Sequence, residues 1–384
     1  MIIKNVNIIT KCEILNNYCI EIKDDIITNI AKDIDADNYI DGFGRFLSPG
    51  FVDIHIHGGG GYDFLDEGDE TYQKITYAHM IHGTTSMVPT LVASSIGDLK
   101  KAIGRYKNAK NYTCNLLGLH LEGPYLNKEQ CGAINIDCLH DPNIEEAKEL
   151  IELANGAITR ITLAPELANS NELIKLLREN NITISIGHSN ATLDIVKNAY
   201  NNGANLITHF YSACSSITRR NGYRVLGIIE AGYLIDDLDI EIIADGSHLP
   251  IDLLKYIYKF KNHEHISLIT DAMRAAGTNL KETYLGKMGE GTECVIEDGV
   301  AKLKDRSAFA GSIATCDQLV KTMLKAGVDL NEAINMVTIN PIKALGSKFK
   351  KGEIKVGNDA DIVLFDENID ISLVIINGEI VYKK

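Results

Sequence analysis

Apolar residues recur along the central part of the chain in short strand-like runs, which alternate with helix-like segments. In the clearest run, residues 51–57, valine and isoleucine alternate with Asp53, His55 and His57. A strand with this alternation puts both imidazoles on one face and packs its other face into a core. The run Gly58 to Gly61 follows directly and lets other loops approach closely. The pattern therefore predicts a strand that presents two potential metal ligands.

The same alternation of strand and helix continues for about 290 residues, the size expected of a parallel barrel with eight strands. Strands are predicted near 51–57, 84–88, 115–121, 158–164, 182–188, 205–209, 239–245 and 266–271. Helices are clearest at 95–109, 145–154, 170–180, 190–202 and 250–261. A hairpin-like insertion is predicted over 284–303, followed by helices over 313–326 and 331–338. The pattern predicts an α/β fold of the (β/α)8 TIM-like barrel type.

The two ends of the chain contain only short strands and turns, including the hairpin signal Asn377-Gly378. We expect them to pair into one small β-sandwich domain, formed by residues 1–48 and 345–384, beside a barrel domain over 49–344. A Rossmann-type open sheet is the competing architecture. Its phosphate-binding motif, Gly-x-Gly-x-x-Gly between a strand and a helix, does not occur in this sequence.

Composition narrows the classes of function. The formal charge is −14, and no basic cluster offsets it, which argues against nucleic acid or an anionic membrane as a partner. The chain has neither a signal-peptide pattern nor an apolar run of membrane-spanning length, so we predict a cytoplasmic protein. Its eight cysteines form no Cys-x-x-Cys pair, which argues against a zinc ribbon, a redox motif or a disulfide framework.

Histidines and acids collect where the predicted strands end. In a barrel of this type the chemistry lies at the carboxyl ends of the strands. Imidazole and carboxylate groups hold a hydrolytic divalent cation while leaving positions open for water and substrate. The pattern therefore predicts a metal site formed from these residues: His55, His57, His120, Glu122, His188, His209, Asp245, His248 and Asp271.

Seven short motifs occur in order along the barrel: His-Leu-Glu-Gly-Pro at 120–124, Leu-Ala-Pro-Glu at 163–166, Gly-His-Ser-Asn-Ala at 187–191, Thr-His-Phe-Tyr at 208–211, Ala-Asp-Gly-Ser-His at 244–248, Thr-Asp-Ala-Met at 270–273 and Ala-Gly-Ser at 310–312. Together with Pro-Gly-Phe-Val-Asp at 49–53, they resemble the N-acetylglucosamine-6-phosphate deacetylases of the amidohydrolase superfamily. The resemblance extends over nearly the whole chain.

The resemblance implies that Glu122, His188 and His209 bind the principal divalent metal ion, and that His55 and His57 allow a second ion. It implies one or two ions per subunit, Zn²⁺ first, with Fe²⁺, Mn²⁺, Co²⁺ or Ni²⁺ as alternatives. Asp271 corresponds to the aspartate that acts first as general base and then as general acid.

The substrate implied by the resemblance is a small phosphorylated amino sugar. His248 corresponds to a histidine that contacts the sugar phosphate. Arg220 corresponds to an arginine that pairs with this phosphate from the neighbouring subunit of a homodimer, with Arg219 and Arg224 as alternatives. A guanidinium suits bidentate phosphate binding.

Two positions depart from the family pattern, and both concern substrate recognition. Ile134 stands where members carry a histidine that positions the acetyl carbonyl, and His140 is a candidate replacement. The run 211–215, Tyr-Ser-Ala-Cys-Ser, stands where an Asn-Ala-Met-Pro-like run is usual. The main-chain amides around Ser212 and Ala213 are implied phosphate ligands, and Ala133 is predicted to be a further substrate-binding residue.

Three hypotheses follow. The first is a deacetylase of N-acetylglucosamine 6-phosphate that yields glucosamine 6-phosphate and acetate, or a close variant acting on N-acetylgalactosamine 6-phosphate or another N-acyl sugar phosphate. The second is a cyclic-amide hydrolase of the dihydroorotase or hydantoinase kind, which would need a bridging lysine at the position of Glu122. The third is a catalytically silent barrel that serves for binding, although such a protein has no need for ligand-type residues at so many strand ends.

Overall fold

A computed structural model describes residues 1–346 and 348–384. Ser347, within the predicted C-terminal segment 345–384, lies outside the described residues. Eight parallel strands form the central barrel, as the sequence predicts: Phe51–Ile56, Thr84–Val92, Leu119–Glu122, Ile158–Leu163, Thr183–Ile186, Leu206–Ile207, Asp239–Ile242 and Ile266–Leu268. A short strand, Asn115–Leu116, adds to the second of these.

The barrel closes where the chain leaves the eighth strand. The Asp271 N–H donates to the His55 carbonyl at 2.9 Å, and the His57 N–H donates to the Ala272 carbonyl at 2.8 Å. Closure therefore places the histidines of the first strand directly beside Asp271.

Helices cover the outside of the barrel. Ile96–Asn108 shows how they form: Ser95 accepts a hydrogen bond from the Asp98 N–H as an N-cap, and Leu99 and Ile103 bury one face of the helix. The α-helices are Thr71–Met80, Ile96–Asn108, Ile144–Ala154, Ser170–Glu179, Leu193–Asn201, Ile228–Leu234, Ile251–Phe260, Cys316–Lys325, Leu330–Val337 and Ile339–Ala344. Single 3-10 turns occupy Lys128–Gln130, Ile136–Cys138 and His263–His265. None of the helices in the described part of the chain combines the length and the apolar character needed to cross a bilayer.

Both ends of the chain contribute to one separate sheet of eight strands: Ile2–Ile9, Ile14–Lys23, Ile26–Ala31, Ile40–Asp41, Phe46–Pro49, Ile362–Phe365, Ile371–Ile376 and Glu379–Lys383. Phe46–Pro49 joins the two halves, because it pairs with the first strand on one side and with Ile362–Phe365 on the other. Ile27 and Ile375, from distant strands of this sheet, share one buried core. The prediction that the termini build a β unit is confirmed; its boundaries, 1–48 with 345–384, stay a prediction.

In the described part of the chain, three smaller sheets lie beside the barrel, and the shortest pairs Gly58–Gly59 with Tyr62–Asp63. The predicted insertion forms three antiparallel strands, Glu282–Leu285, Thr292–Glu297 and Val300–Leu303. The buried Arg274 ties this sheet to the barrel, since it pairs with Asp66 and donates to the Gly286 carbonyl at 2.6 Å. A second hairpin, Thr218–Arg220 with Tyr223–Val225, is largely exposed. The alternation of apolar and polar residues does not predict this hairpin, because its strands are polar and bury no face; the turn Asn221-Gly222 is the one sequence signal that could have found it.

Candidate metal centre and substrate cavity

Six ligand-type side chains converge at the carboxyl end of the barrel. They form two groups, His55 with His57 and Asp271, and Glu122 with His188 and His209. Within each group the ligand atoms lie within 4.8 Å of one another, and all six residues are buried. The structure thus brings together the five residues that the resemblance implies as metal ligands, along with Asp271; the other strand-end residues of the predicted site, His120, Asp245 and His248, belong to neither group.

Glu122 lies between the two groups. Its Oε1 is 2.9 Å from the His209 Nε2, 3.2 Å from the His188 Nε2 and 3.5 Å from the His55 Nε2. Its Oε2 is 3.3 Å from the His57 Nε2. One carboxylate therefore contacts all four imidazoles.

Three of these residues have an unusual backbone conformation. His188, His209 and Asp271 have φ values of 47°, 26° and 48°. Residues other than glycine rarely adopt this left-handed backbone conformation, and each instance costs about 1–3 kcal/mol. The chain thus leaves the extended conformation at the residues that carry the candidate ligands, a concentration of strain typical of functional sites.

The orientation of two imidazoles fits a bound cation. The His188 Nδ1 lies 2.6 Å from the Gln130 carbonyl oxygen, and the His209 Nδ1 lies 3.1 Å from the Ser212 carbonyl oxygen. A carbonyl oxygen only accepts, so each Nδ1 carries the hydrogen and each Nε2 of the neutral ring presents a lone pair. These two Nε2 atoms lie 3.1 Å apart and both face Glu122. Two lone pairs and a carboxylate that point at one another match the donor set of a divalent metal.

The charges of the site also favour a bound cation. Burial lowers the pKa of the His55 imidazole, but the carboxylates of Glu122, Glu241 and Asp271 outweigh it and raise this pKa to about 9. Burial also lowers the pKa of His57, but the carboxylates of Asp271 and Glu122 outweigh it and raise this pKa to about 10. The surplus of buried negative charge therefore attracts a cation, a proton in its simplest form and a metal ion when one is available.

A cavity opens above these ligands. Three predicted substrate-binding elements line it: Ala133, the Ser212-Ala213 pair and His248. The His248 ring is fixed by Asp245, whose Oδ2 lies 2.7 Å from the His248 Nδ1. This contact leaves the His248 Nε2 available to the cavity.

The walls of the cavity include three apolar residues, Ile134, Leu285 and Phe309. Leu285 and Phe309 belong to the insertion and the loop after it. The sequence predicts this insertion but carries no signal that its side chains reach the site.

Two predicted residues lie elsewhere. His140 does not line the cavity, because its ring packs edge-on against Tyr125 and its Nδ1 lies 2.8 Å from the Asp141 carbonyl oxygen. It therefore does not replace the missing histidine at Ile134. His120 is buried below the ligands, with its Nε2 2.7 Å from the Thr162 Oγ1.

The arginines lie on the exposed hairpin. In its register Arg219 is opposite Arg224, and Arg220 is opposite Tyr223. Residues that are directly opposite share a face and successive residues alternate, so Arg220 points away from the face of Arg219 and Arg224. Arg219 and Arg220 border a different cavity, beside Glu166 and Asn190, and the structure does not bring Arg220 into the site of its own chain.

Comparison with known proteins supplies relatives that span the chain. The model of the Amidohydrolase family matches residues 46–381. The N-acetylglucosamine-6-phosphate deacetylase of Lysinibacillus sphaericus is 33% identical over 386 residues, covering 99% of this chain and 97% of the relative. The N-acetylgalactosamine-6-phosphate deacetylase of Escherichia coli O157:H7 is 28% identical over 340 residues, 88% of each chain.

A solved structure shares the whole fold. It is a mutant N-acetyl-D-glucosamine-6-phosphate deacetylase from Mycobacterium smegmatis in complex with N-acetyl-D-glucosamine-6-phosphate. The TM-score is 0.91 at 28% identity, over 100% of this chain and 99% of the other.

Proposed function

This chain belongs to the amidohydrolase family, and from that premise we propose that it hydrolyses the acetamide of N-acetylglucosamine 6-phosphate to acetate and glucosamine 6-phosphate. The observation that carries the proposal is the convergence of six ligand-type side chains with Asp271 among them, beneath a cavity that also contains His248. The family is metal-dependent, and this cluster is the candidate site for the metal.

In this proposal Glu122, His188 and His209 hold the principal ion, and His55, His57 and Asp271 offer a second position. Nitrogen and oxygen donors of this kind suit Zn²⁺, with Fe²⁺, Mn²⁺, Co²⁺ or Ni²⁺ as alternatives. A divalent cation supplies Lewis acidity there, polarising the acetamide carbonyl and lowering the pKa of water.

Asp271 is the proposed group for proton transfer. Burial raises the pKa of its carboxyl, but the imidazoles of His57 and His55 outweigh this effect and hold the pKa below its ordinary value. The carboxylate accepts a proton from the water that attacks the carbonyl carbon. It then donates this proton to the sugar nitrogen as the carbon–nitrogen bond breaks, so that acetate and the free amine leave.

The other residues position the sugar. The Nε2 of His248 faces the phosphate, with the amides around Ser212 and Ala213 as further donors, while Ala133 lies on the acetyl side. Ile134 cannot donate a hydrogen bond, so the acetyl group meets an apolar wall there instead of the histidine of other members.

We further propose a homodimer in which Arg220 reaches the phosphate bound by the neighbouring subunit. The exposure of its hairpin, and the absence of Arg220 from its own cavity, support this arrangement. All eight cysteines are free thiols, which fits the reducing cytoplasm as the proposed compartment.

Replacing Arg220 by alanine is expected to raise KM for the phosphorylated sugar about 10- to 100-fold, since a charge-assisted hydrogen bond is worth about 1.5–3 kcal/mol. Arg219→Ala and Arg224→Ala, on the opposite face of the hairpin, are the matched controls. An unchanged KM in Arg220→Ala would reassign the phosphate to another residue.

A mixing experiment tests whether the arginine acts between subunits. We expect that combining inactive Asp271→Asn chains with Arg220→Ala chains restores activity at low substrate, because a hybrid dimer contains one site with both residues intact. If mixing under subunit exchange restores nothing, Arg220 does not act across a shared site.

The proposed activity is tested by acetate release from N-acetylglucosamine 6-phosphate, measured with metal-loaded protein, after chelation and after metal is returned. We expect activity that is lost on chelation and recovered on reloading. N-Acetylgalactosamine 6-phosphate is assayed in parallel, because the relative from Escherichia coli O157:H7 is named for that substrate. Folded, metal-loaded protein that is inert on every N-acetylated sugar phosphate would reject the proposal.

A further inference from the structure

A buried ion pair crosses the barrel interior directly below the candidate metal centre. Arg160, on the fourth barrel strand, and Glu241, on the seventh, are both fully buried. The Arg160 Nη2 donates to the Glu241 Oε2 at 2.8 Å, and its Nη1 contacts the other carboxylate oxygen. The proposed hydrolysis uses neither residue, and burying two charges in a barrel interior is costly.

Glu241 contacts one residue of each candidate ligand group. Its Oε2 lies 3.3 Å from the His55 Nδ1 and accepts from the His209 main-chain N–H, also at 3.3 Å. A carboxylate accepts, so in the neutral ring that a cation would bind, the His55 Nδ1 carries the hydrogen and the Nε2 presents a lone pair on the side of Glu122 and Asp271, each at 3.5 Å.

Arg160 fixes the main chain and side chains that precede the same two histidines. Its Nη1 donates to the Ile54 carbonyl oxygen at 3.1 Å, and its Nη2 to the Thr208 Oγ1 at 3.0 Å. A third bond, from Nε to the Ser185 Oγ at 2.8 Å, locks the guanidinium in place. The pair therefore holds both sides of the site from a single buried point.

We infer that Glu241, held by Arg160, is a positioning residue that fixes the ring of His55 for a divalent cation and steadies His209 through its main chain. Partners of this kind orient metal-binding histidines, and their loss typically costs 10- to 100-fold in metal affinity. The inference rests on the proposed metal site and adds to it a support that links both ligand groups.

The first test is Zn²⁺ affinity, measured by competition with a chromophoric chelator on metal-free protein. We expect Glu241→Gln to bind Zn²⁺ about 10- to 100-fold more weakly than wild type, with the larger loss at the ion held by His55. Asp317→Asn, which alters a buried carboxylate that pairs with His82 and Lys321, is the matched control and should bind normally. Unchanged affinity in Glu241→Gln overturns the inference, whether wild type holds one ion or two.

A double variant separates positioning from stability. Replacing both charges, Arg160→Met with Glu241→Leu, removes the unpaired buried charge that either single change leaves, so we expect Tm to recover toward wild type. Zn²⁺ affinity should stay low, because leucine offers the His55 Nδ1 no acceptor. Recovery of affinity together with Tm would show that the pair is only structural, and would overturn the inference.

The inference can be tested even if the double variant does not fold. In that case the Zn²⁺ affinity of Glu241→Gln is compared with that of Asp317→Asn, at temperatures equally far below the Tm of each variant. A wild-type chain that binds no metal at all would instead contradict the proposed function, so the two failures are distinguishable.

Discussion

The Asp271→Asn variant is expected to lose about 10²- to 10⁴-fold in kcat while it keeps its fold and its metal. Asparagine has the shape of aspartate and still offers an oxygen to a cation, but it can neither take the proton of the attacking water nor return it to the departing amine. The carboxylate is well placed for this work, because its Oδ1 lies 3.1 Å from the His57 Nε2 at the base of the cavity.

Acetate release under saturating substrate, with metal content measured on the same sample, checks this prediction. Asp239→Asn is a suitable control, since Asp239 begins the seventh strand at the opposite end of the barrel and pairs with His265. Near-normal turnover in metal-loaded Asp271→Asn would remove this residue from the proton transfer.

The Glu122→Gln variant is expected to lose the metal itself, and with it nearly all turnover. Burial raises the pKa of Glu122, but the neighbouring imidazoles, His55 foremost, hold it well below its ordinary value, so the residue is an anion at neutral pH. Because this carboxylate contacts all four histidines, its loss removes negative charge from both candidate positions at once.

Metal content after dialysis, together with Tm, tests this expectation. Glu129→Gln is the matched control, because Glu129 is outside the ligand groups and bonds Asn190. Full metal retention in Glu122→Gln would show that the ions bind elsewhere. If Glu122→Gln loses both its fold and its metal, its Tm is compared with the Tm of metal-stripped wild type, which gives the stability of the protein without metal.

Much of the barrel could be predicted from the sequence, because strand periodicity is a local property. The alternation of apolar and polar residues over 51–57 is enough to identify the strand face that carries His55 and His57. The order of strand and helix then favours an eight-stranded barrel, in which strand ends meet at one rim.

The limits of the predicted strands show what periodicity misses. Predicted strands 182–188 and 205–209 include His188 and His209, whereas the ladders end at Ile186 and Ile207. The difference is physical: the chain turns into the left-handed conformation at each histidine. Sequence patterns indicate that a strand is present. They do not show where its last residue turns into the left-handed conformation, because that turn is set by the three-dimensional site and not by local periodicity.

The supporting role of Arg160 and Glu241 could not be predicted from the sequence, for a different physical reason. Arg160 and Glu241 each interrupt an apolar strand, and a charged residue at such a position is the one signal that could have found them. Their pairing joins strands that are 81 residues apart, which no local pattern encodes. The same holds for Leu285, which lines the cavity from a sheet that Arg274 helps to tie to the barrel.

The proposed reaction requires a divalent metal, and the residues that would hold the principal ion, Glu122, His188 and His209, are gathered by the fold from distant parts of the sequence. Anomalous diffraction from crystals of the protein as purified, collected on both sides of the absorption edge of the metal found in it, locates that metal directly. We predict an anomalous peak within coordination distance of Glu122, His188 and His209, with a second, if present, beside His55, His57 and Asp271. A metal peak at any other place, with these six side chains free of it, would contradict the proposed metal centre.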